Sequence, residues 1–186
     1  SLMNNKIKLL DGSMSFPLEK KGYNLHDKLW TGKALINDPD LIKNIHKGYI
    51  EAGADYISTA TYQISFDRLE EMGYQSDKIK EIVQKSFEET DLDILLYETI
   101  PCLREIEILS KILSNSSKEI WISVTCNEDI EFRDGSSFEE ACKIISNIEN
   151  VTTMGINCFS PLLVNKAIKK LKKYSNKTVS YTHLTL

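Results

Sequence analysis

Residues 94–125 read ILLYETIPCLREIEILSKILSNSSKEIWISVT and contain one complete strand–helix–strand unit. Residues 94–97 are continuously apolar, which is typical of a strand buried on both faces. Residues 103–113 then place Ile106, Leu109 and Leu113 on one helical face, and residues 120–125 form a second apolar run rich in β-branched residues. A helix between two strands supplies a crossover connection, so we predict that the two strands are parallel.

The same alternation of strands and helices extends to both sides of this unit. We predict further strands at residues 7–10, 56–61, 151–157 and 177–179. We predict further helices at residues 66–72 and 76–88, and others that start at Asp38-Pro39, at a capping box of Ser136 with Glu139, and at Ser160-Pro161. This order indicates an α/β fold with a largely parallel sheet. An open doubly wound sheet and a (β/α)8 barrel both fit the pattern.

Composition excludes several classes of protein. The chain has 186 residues, of which 41% are hydrophobic and 27% are charged, which excludes a disordered or fibrous protein. Its net charge of −4 is unlike the basic balance of nucleic-acid-binding proteins. No apolar run is long enough to span a bilayer, and the first residues lack the apolar core of a secretory signal. We therefore expect a cytoplasmic protein without nucleic-acid or membrane partners.

The four cysteines stand too far apart in sequence for a CxxC metal or redox pair. Cysteine behaves as a small buried residue more often than as a ligand. Cys102 and Cys142 lie in predicted helical segments, and we expect them to be buried. We expect Cys126, at the end of a strand, to act in packing or in a pocket. We also expect His46, within a helical pattern, to be structural.

Polar residues gather where the predicted strands end. They are Asp11, residues 59–62, Glu98-Thr99, residues 125–127, and Asn157-Cys158. Because chemistry in parallel α/β folds lies at the carboxyl ends of the strands, these residues would meet at one mouth. An alternative also fits the spacing, in which Asp11 caps a turn, Glu98 makes a structural ion pair and the cysteines fill space.

Several of these motifs, taken in order, resemble one enzyme family. They are LDGSM at 10–14, LEKKG at 18–22, LW at 29–30, AGAD at 52–55, TATYQ at 59–63, YETIP at 97–101, RDG at 133–135 and GINC at 155–158. Together they resemble the homocysteine S-methyltransferases over about residues 7–179. The branch that they resemble uses S-methylmethionine or S-adenosylmethionine as the methyl donor.

The resemblance implies a (β/α)8 barrel with a zinc ion at its mouth and methionine as the product. Cys158 would be a zinc ligand, and Glu98 and Asp11 would hold the amino-acid part of homocysteine. Trp30, Thr61 and Tyr62 would line the same pocket. A free thiol has a pKa of about 8.5, and zinc coordination makes it a thiolate at neutral pH. The sulfonium donor is already activated, and an aromatic ring such as Trp30 or Tyr62 would favour its positive charge.

Two departures from the family pattern shape our expectations. The family has a further strand–helix unit before the YETIP strand, whereas here residues 87–90 run directly into residues 91–93. The family also has two adjacent zinc cysteines in its eighth strand, and no two cysteines are adjacent here. We therefore predict an incomplete barrel over residues 1–179 and an atypical tail, unlike the continuation of the family pattern, over residues 180–186.

These departures leave three hypotheses for function. The first is a zinc-dependent homocysteine S-methyltransferase whose 186-residue chain is itself inactive, because a catalytic zinc site usually needs three protein ligands. The second is a non-catalytic, amino-acid-binding remnant of that family. The third is another small-molecule barrel enzyme without a metal.

Overall fold

The computed structural model of the protein describes residues 9–24, 34, 36–58, 66–71, 73–75, 77–78, 81, 94–114 and 116–182. The helices are α1 (Ser15–Lys20), α2 (Pro39–Glu51), α3 (Phe66–Glu71), α4 (Leu103–Leu113), α5 (Phe138–Ser146) and α6 (Val164–Tyr174), the last preceded by a 3-10 turn at Pro161–Leu163. The strands are β1 (Ile94–Ile100), β2 (Glu119–Val124), β3 (Val151–Asn157) and β4 (Thr178–Thr182). No helix in the described ranges has the length and apolar character needed to cross a bilayer.

The four strands form one parallel sheet in the order β1-β2-β3-β4. Residue 94 pairs with residue 119 at one side of the sheet, and residue 153 pairs with residue 178 at the other. Parallel neighbours require crossover connections, and helices supply them here, as the sequence predicts. The predicted α/β fold with a parallel sheet is confirmed.

Two further segments extend the sheet beyond β1. Leu10 makes a parallel bridge to Tyr56, and Ser58 makes a parallel bridge to Leu96 of β1. The segment at residues 56–58 therefore lies directly beside β1. Neighbouring strands and segments follow chain order throughout the described part of the chain, without the reversal that marks the switch point of a doubly wound sheet.

The main hydrophobic core lies between the sheet and helices α4, α5 and α6. In α4 the face predicted from the sequence, Ile106, Leu109 and Leu113, is the buried one. The buried faces of the other two helices comprise Phe138, Ala141, Cys142 and Ile145 of α5, and Ala167 and Leu171 of α6. Burying these side chains fixes each helix against the strands that flank it.

Three small residues stand side by side across β2, β3 and β4. Gly155 of β3 lies in register between Ser123 of β2 and Ser180 of β4. A Cβ atom at Gly155 would lie 2.7 Å from the Ser123 Oγ and 2.9 Å from the Ser180 carbonyl oxygen. The GINC motif therefore needs glycine at this position because the neighbouring strands approach too closely for a larger residue.

A smaller core stands beneath the first helices. It is formed by Leu18, Ala34 and Ile42. The predicted cap of α2 is confirmed, since the Asp38 carboxylate accepts a hydrogen bond from the Leu41 N–H at 3.1 Å. Gly53 follows that helix with φ +104°, the left-handed conformation that glycine adopts easily.

The predicted capping box of Ser136 with Glu139 is wrong by one residue. Helix α5 is capped by Ser137, whose hydroxyl accepts from the Glu140 N–H at 3.1 Å. Ser136 instead accepts from the Leu103 N–H at 3.0 Å and so caps α4 from another part of the chain. The Ser136 hydroxyl, which the local sequence pattern assigned to α5, is therefore used in a tertiary contact with α4.

The last strand reaches further than the sequence indicated. We predicted a strand at residues 177–179, and β4 continues to Thr182. Its residues 180–182 therefore pair with β3, although they belong to the segment that we described as an atypical tail. The Tyr181 hydroxyl donates to the Phe159 carbonyl at 2.9 Å and holds the residue that follows the GINC motif.

Candidate active site

A bulge in β1 presents Glu98 and Thr99 at the carboxyl end of the sheet. Tyr97 pairs with Ile122 and Ile100 pairs with Val124, so two β1 residues stand opposite one residue of β2. Thr99 has φ +62°, which is uncommon for a residue with a Cβ atom. Bulges re-aim side chains next to functional sites. The sequence predicted this strand only to residue 97, because a bulge breaks the apolar pattern.

Asp11 is held beside the segment at residues 56–58, which pairs with β1. Its carboxylate accepts a hydrogen bond from the Ser58 N–H at 3.0 Å, and its own N–H donates to the Tyr56 carbonyl at 2.9 Å. Burial raises the pKa of Asp11 from 3.8 to about 6, against the smaller lowering effect of the Ser58 hydrogen bonds. Asp11 therefore holds a proton more tightly than an exposed aspartate does.

The Glu98 carboxyl lies close enough to Asp11 to feel its charge. The pKa of Glu98 is raised first by burial and then by the negative charge of Asp11. Two partly buried carboxyl groups of like charge destabilise each other's ionised forms. A positively charged ligand near both groups would remove this penalty. The structure thus brings together two of the side chains that the strand-end pattern singled out.

Asn157 connects the bulge to the GINC motif. Its side chain is fully buried at the end of β3. The amide oxygen accepts from the Thr99 N–H at 2.8 Å, and the amide nitrogen donates to the Thr99 hydroxyl at 2.6 Å. The same nitrogen lies 3.8 Å from the Cys158 Sγ, within hydrogen-bond range for sulfur. The carboxyl edge of β1 and the Cys158 thiol are therefore joined by one side chain.

Cys158 differs from the other three cysteines in exposure and backbone conformation. It is partly exposed and has φ +51°, whereas Cys102, Cys126 and Cys142 are buried, as predicted for Cys102 and Cys142. All four are free thiols. Burial raises the pKa of both Cys126 and Cys142 to about 12, so those thiols stay protonated at neutral pH. Cys158 is the accessible thiol at this edge of the sheet.

Two polar side chains of helix α2, Tyr49 and His46, lie near Asp11 and Ser58 respectively. The Tyr49 hydroxyl donates to the Ser13 carbonyl at 2.8 Å, and the pKa of Tyr49 is raised by burial and by the charge of Asp11. His46 is buried in the same helix, and burial lowers its pKa to about 4, so it is neutral at physiological pH. This agrees with the structural role predicted for His46.

Three predicted pocket residues, Trp30, Thr61 and Tyr62, lie outside the described residues. Sequence reasoning noticed Thr99 and Asn157 only as members of strand-end runs and gave neither of them a role. Only their position in the sequence could have indicated a role, since each of them is next to a proposed site residue. Tyr49 and Ser58 were not singled out, because a helical pattern and a strand pattern explain them without a site.

A metal fits the described residues only in part. Cys158 offers one accessible thiol at the sheet edge. No group of three or more His, Cys, Asp and Glu side chains in the described ranges is arranged to hold a metal ion. A three-ligand catalytic zinc site is therefore not complete among these residues.

Comparison with known proteins shows the family of this chain. The family model for homocysteine S-methyltransferase matches residues 8–91 and 86–184. The chain belongs to the homocysteine S-methyltransferase family. The match spans both bridged segments, the bulge that carries Glu98 and the GINC motif that carries Cys158. It also includes β4 and continues two residues beyond it.

Curated members of the family are distant in sequence but cover most of the chain. A homocysteine S-methyltransferase of Bacillus subtilis, YbgG, is 24% identical over 236 aligned positions, which cover 92% of this chain and 75% of that protein. A selenocysteine Se-methyltransferase of Brassica oleracea is also 24% identical and covers 92% of this chain and 70% of its own. The names of these relatives indicate methyl transfer to a thiol or a selenol.

A solved structure shares the fold. The homocysteine methyltransferase MmuM from Escherichia coli, in its oxidized form, superimposes with a TM-score of 0.66 at 22% identity. The superposition covers 99% of this chain and 85% of that chain. Its metallated form superimposes with a TM-score of 0.64. The parallel α/β fold of this chain is therefore that of a homocysteine methyltransferase.

Proposed function

We propose that this protein transfers a methyl group from a sulfonium donor, S-methylmethionine or S-adenosylmethionine, to homocysteine and so forms methionine. Family membership supports methyl transfer to homocysteine. One structural observation carries the assignment of the site. Asp11 and Glu98 are coupled by charge, and the Asn157 amide binds Thr99, the neighbour of Glu98, and lies within hydrogen-bond range of the Cys158 Sγ.

The two carboxyl groups suit the amino group of homocysteine. Burial makes the ionised forms of Asp11 and Glu98 costly in the free protein, and the negative charge of Asp11 adds to the cost for Glu98. An ammonium group placed between them would offset this repulsion and lower both pKa values. We therefore assign Glu98 and Asp11 to substrate binding, with Trp30, Thr61 and Tyr62 as further pocket residues by resemblance.

The Cys158 thiol suits a role as one zinc ligand. When bound, zinc converts a substrate thiol into a thiolate at neutral pH and so supplies the nucleophile. The residues of this chain would bind the amino acid and orient its sulfur toward the donor, which needs alignment rather than a general acid. After its methyl group is transferred, the rest of the donor leaves as a neutral thioether. Aromatic side chains such as Trp30 or Tyr62 would favour the donor's positive charge.

We also propose that the fold is a (β/α)8 barrel in which the third strand–helix unit is missing. Three observations support this reading. The strands follow chain order, Ser58 bridges directly to β1, and the alignment with the Bacillus relative runs over more positions than the 186 residues of this chain. With one family zinc cysteine present, we propose that the 186-residue chain binds zinc weakly and has no turnover.

The test is a methyl-transfer assay on the complete gene product. Zinc, homocysteine and S-methylmethionine or S-adenosylmethionine are supplied, and methionine is measured by mass spectrometry. We expect methionine from at least one donor, and a Glu98→Gln variant with a raised KM for homocysteine. Homocysteine binding without methionine from any sulfonium donor would overturn the proposal and support a non-catalytic, amino-acid-binding protein.

A further inference from the structure

We infer that Asn157 is a positioning residue, which fixes the Glu98 carboxyl and the Cys158 thiol in one relative orientation through its reciprocal hydrogen bonds with Thr99. The inference rests on the proposed function, since it concerns the groups that we assign to homocysteine and to the metal. It adds a role that neither Glu98 nor Cys158 performs.

Asn157 has the contacts that such a role needs. Both ends of its amide bind Thr99, one to the backbone N–H at 2.8 Å and one to the hydroxyl at 2.6 Å. The side chain reaches Thr99 across β2, because β1 and β3 are each paired with β2. A fully buried amide that loses these partners would leave unsatisfied polar groups in the protein interior. The link between the two strands is therefore held in place.

The conformation of Thr99 explains why a clamp is needed. Thr99 has φ +62°, a region that residues with a Cβ atom avoid. It lies in the bulge of β1, where ladder pairing with β2 is interrupted between residues 97 and 100. The hydrogen bonds from Asn157 replace that pairing and hold the backbone angle. Since Glu98 immediately precedes Thr99, this angle sets the direction of the Glu98 side chain.

The same amide orients the other half of the site. Its nitrogen lies 3.8 Å from the Cys158 Sγ. Cys158 also has a left-handed backbone, with φ +51°. Two left-handed residues thus flank one buried amide, and each of them adjoins or carries a proposed functional side chain. A single substitution at Asn157 should disturb both of them together.

The chain offers a matched control at the other end of β3. Asn150 is a partly buried asparagine whose amide nitrogen donates to three backbone carbonyls, at 3.1 Å, 2.9 Å and 3.2 Å. These carbonyls belong to residues 113, 116 and 118, at the edge of the sheet opposite the site. Asn150→Ala removes a comparable set of hydrogen bonds without touching Glu98, Thr99 or Cys158.

The experiment compares Asn157→Ala with Asn150→Ala in the complete gene product. For Asn157→Ala we expect about a tenfold higher KM for homocysteine and a kcat lower by about 10- to 100-fold, with the KM for the methyl donor unchanged. For Asn150→Ala we expect a lower melting temperature with both KM values unchanged. If Asn157→Ala changes only kcat and leaves both KM values unchanged, as a loss of folded protein would, the positioning role is refuted.

A second measurement separates this inference from the proposed function. Hydrogen exchange of the Thr99 amide should be at least about tenfold faster in Asn157→Ala and unchanged in Asn150→Ala, whether or not the protein makes methionine. If the unmodified protein makes no methionine but Thr99 exchange accelerates, the clamp stands and the proposed function fails. Unchanged exchange in Asn157→Ala refutes the clamp. If that variant does not fold, Thr99→Ala removes the hydroxyl partner and should shift the same quantities by a smaller amount.

Discussion

The raised pKa of Asp11 makes the free energy of unfolding depend on pH, and a single substitution at this residue tests that dependence. Burial raises its pKa from 3.8 to about 6 in the folded protein. The folded state therefore binds a proton more tightly than the unfolded state does. This stabilising contribution is complete below about pH 3.8 and is lost as the pH rises through about 6. At neutral pH the ionised, partly buried carboxylate opposes folding.

The size of the effect follows from the same values. A rise from 3.8 to about 6 corresponds to about 3 kcal/mol at 1.36 kcal/mol per pKa unit. Asp11 is partly exposed, and solvent screening reduces this to about 1–2 kcal/mol. Asp11→Asn keeps an oxygen that can accept from the Ser58 N–H. We expect it to raise the free energy of unfolding by about 1–2 kcal/mol at pH 7.5 and to have little effect at pH 3.5.

The assay is urea unfolding at several pH values between 3.5 and 8, followed by tryptophan fluorescence. Asp134→Asn serves as a control of opposite sign, because hydrogen bonds from Ser136 lower the pKa of Asp134. That residue stabilises the fold above its usual pKa and loses this contribution as the pH falls. If Asp11→Asn destabilises the protein at pH 7.5, or acts equally at all pH values, Asp11 is not a carboxylate held at a cost by burial.

Three further predictions concern packing, metal binding and association. Gly155→Ala should lower the free energy of unfolding by about 1–3 kcal/mol, because its Cβ would lie 2.7 Å from the Ser123 Oγ. Chemical denaturation measures this, and an unchanged midpoint would show that the neighbouring strands make room for the added methyl group. The 186-residue chain should bind zinc weakly, since it lacks most of the ligands that give a full structural site a binding free energy of about 10–16 kcal/mol. Isothermal titration should show that Cys158→Ser has little effect on zinc binding, and tight stoichiometric binding would contradict the incomplete ligand set. Among the described residues β4 pairs only with β3, and an edge strand with unpaired backbone groups favours association. We expect the chain to associate at micromolar concentration, and a sharply monomeric species in analytical ultracentrifugation would contradict this.

Much of the fold could be predicted from the sequence because its signals are local. The α4 helix has the predicted bounds, and β3 does too, since both have periodic or continuous apolar patterns that end at clear turns. The misplaced cap at Ser136 has a different cause. Its hydroxyl binds Leu103, 33 residues away in sequence, and no local pattern records such a partner.

The candidate site divides in the same way. The strand-end rule and the family motifs indicated Asp11, Glu98 and Cys158. In the structure the charge of Asp11 acts on Glu98, and Asn157 joins Cys158 to Thr99. The positioning contact of Asn157 with Thr99 joins residues 58 positions apart, across an intervening strand. It depends on a bulge and on a left-handed backbone angle, and neither of these is visible in residue types.

The most direct test of the account is methyl transfer by two matched cysteine variants of the complete gene product. Cys158→Ser removes the accessible thiol at the carboxyl edge, whereas Cys142→Ser changes a thiol buried in α5. We expect methionine formation per mole of folded protein to fall at least about 100-fold in Cys158→Ser and to persist in Cys142→Ser. Full activity in Cys158→Ser would contradict the placement of the site at this edge of the sheet.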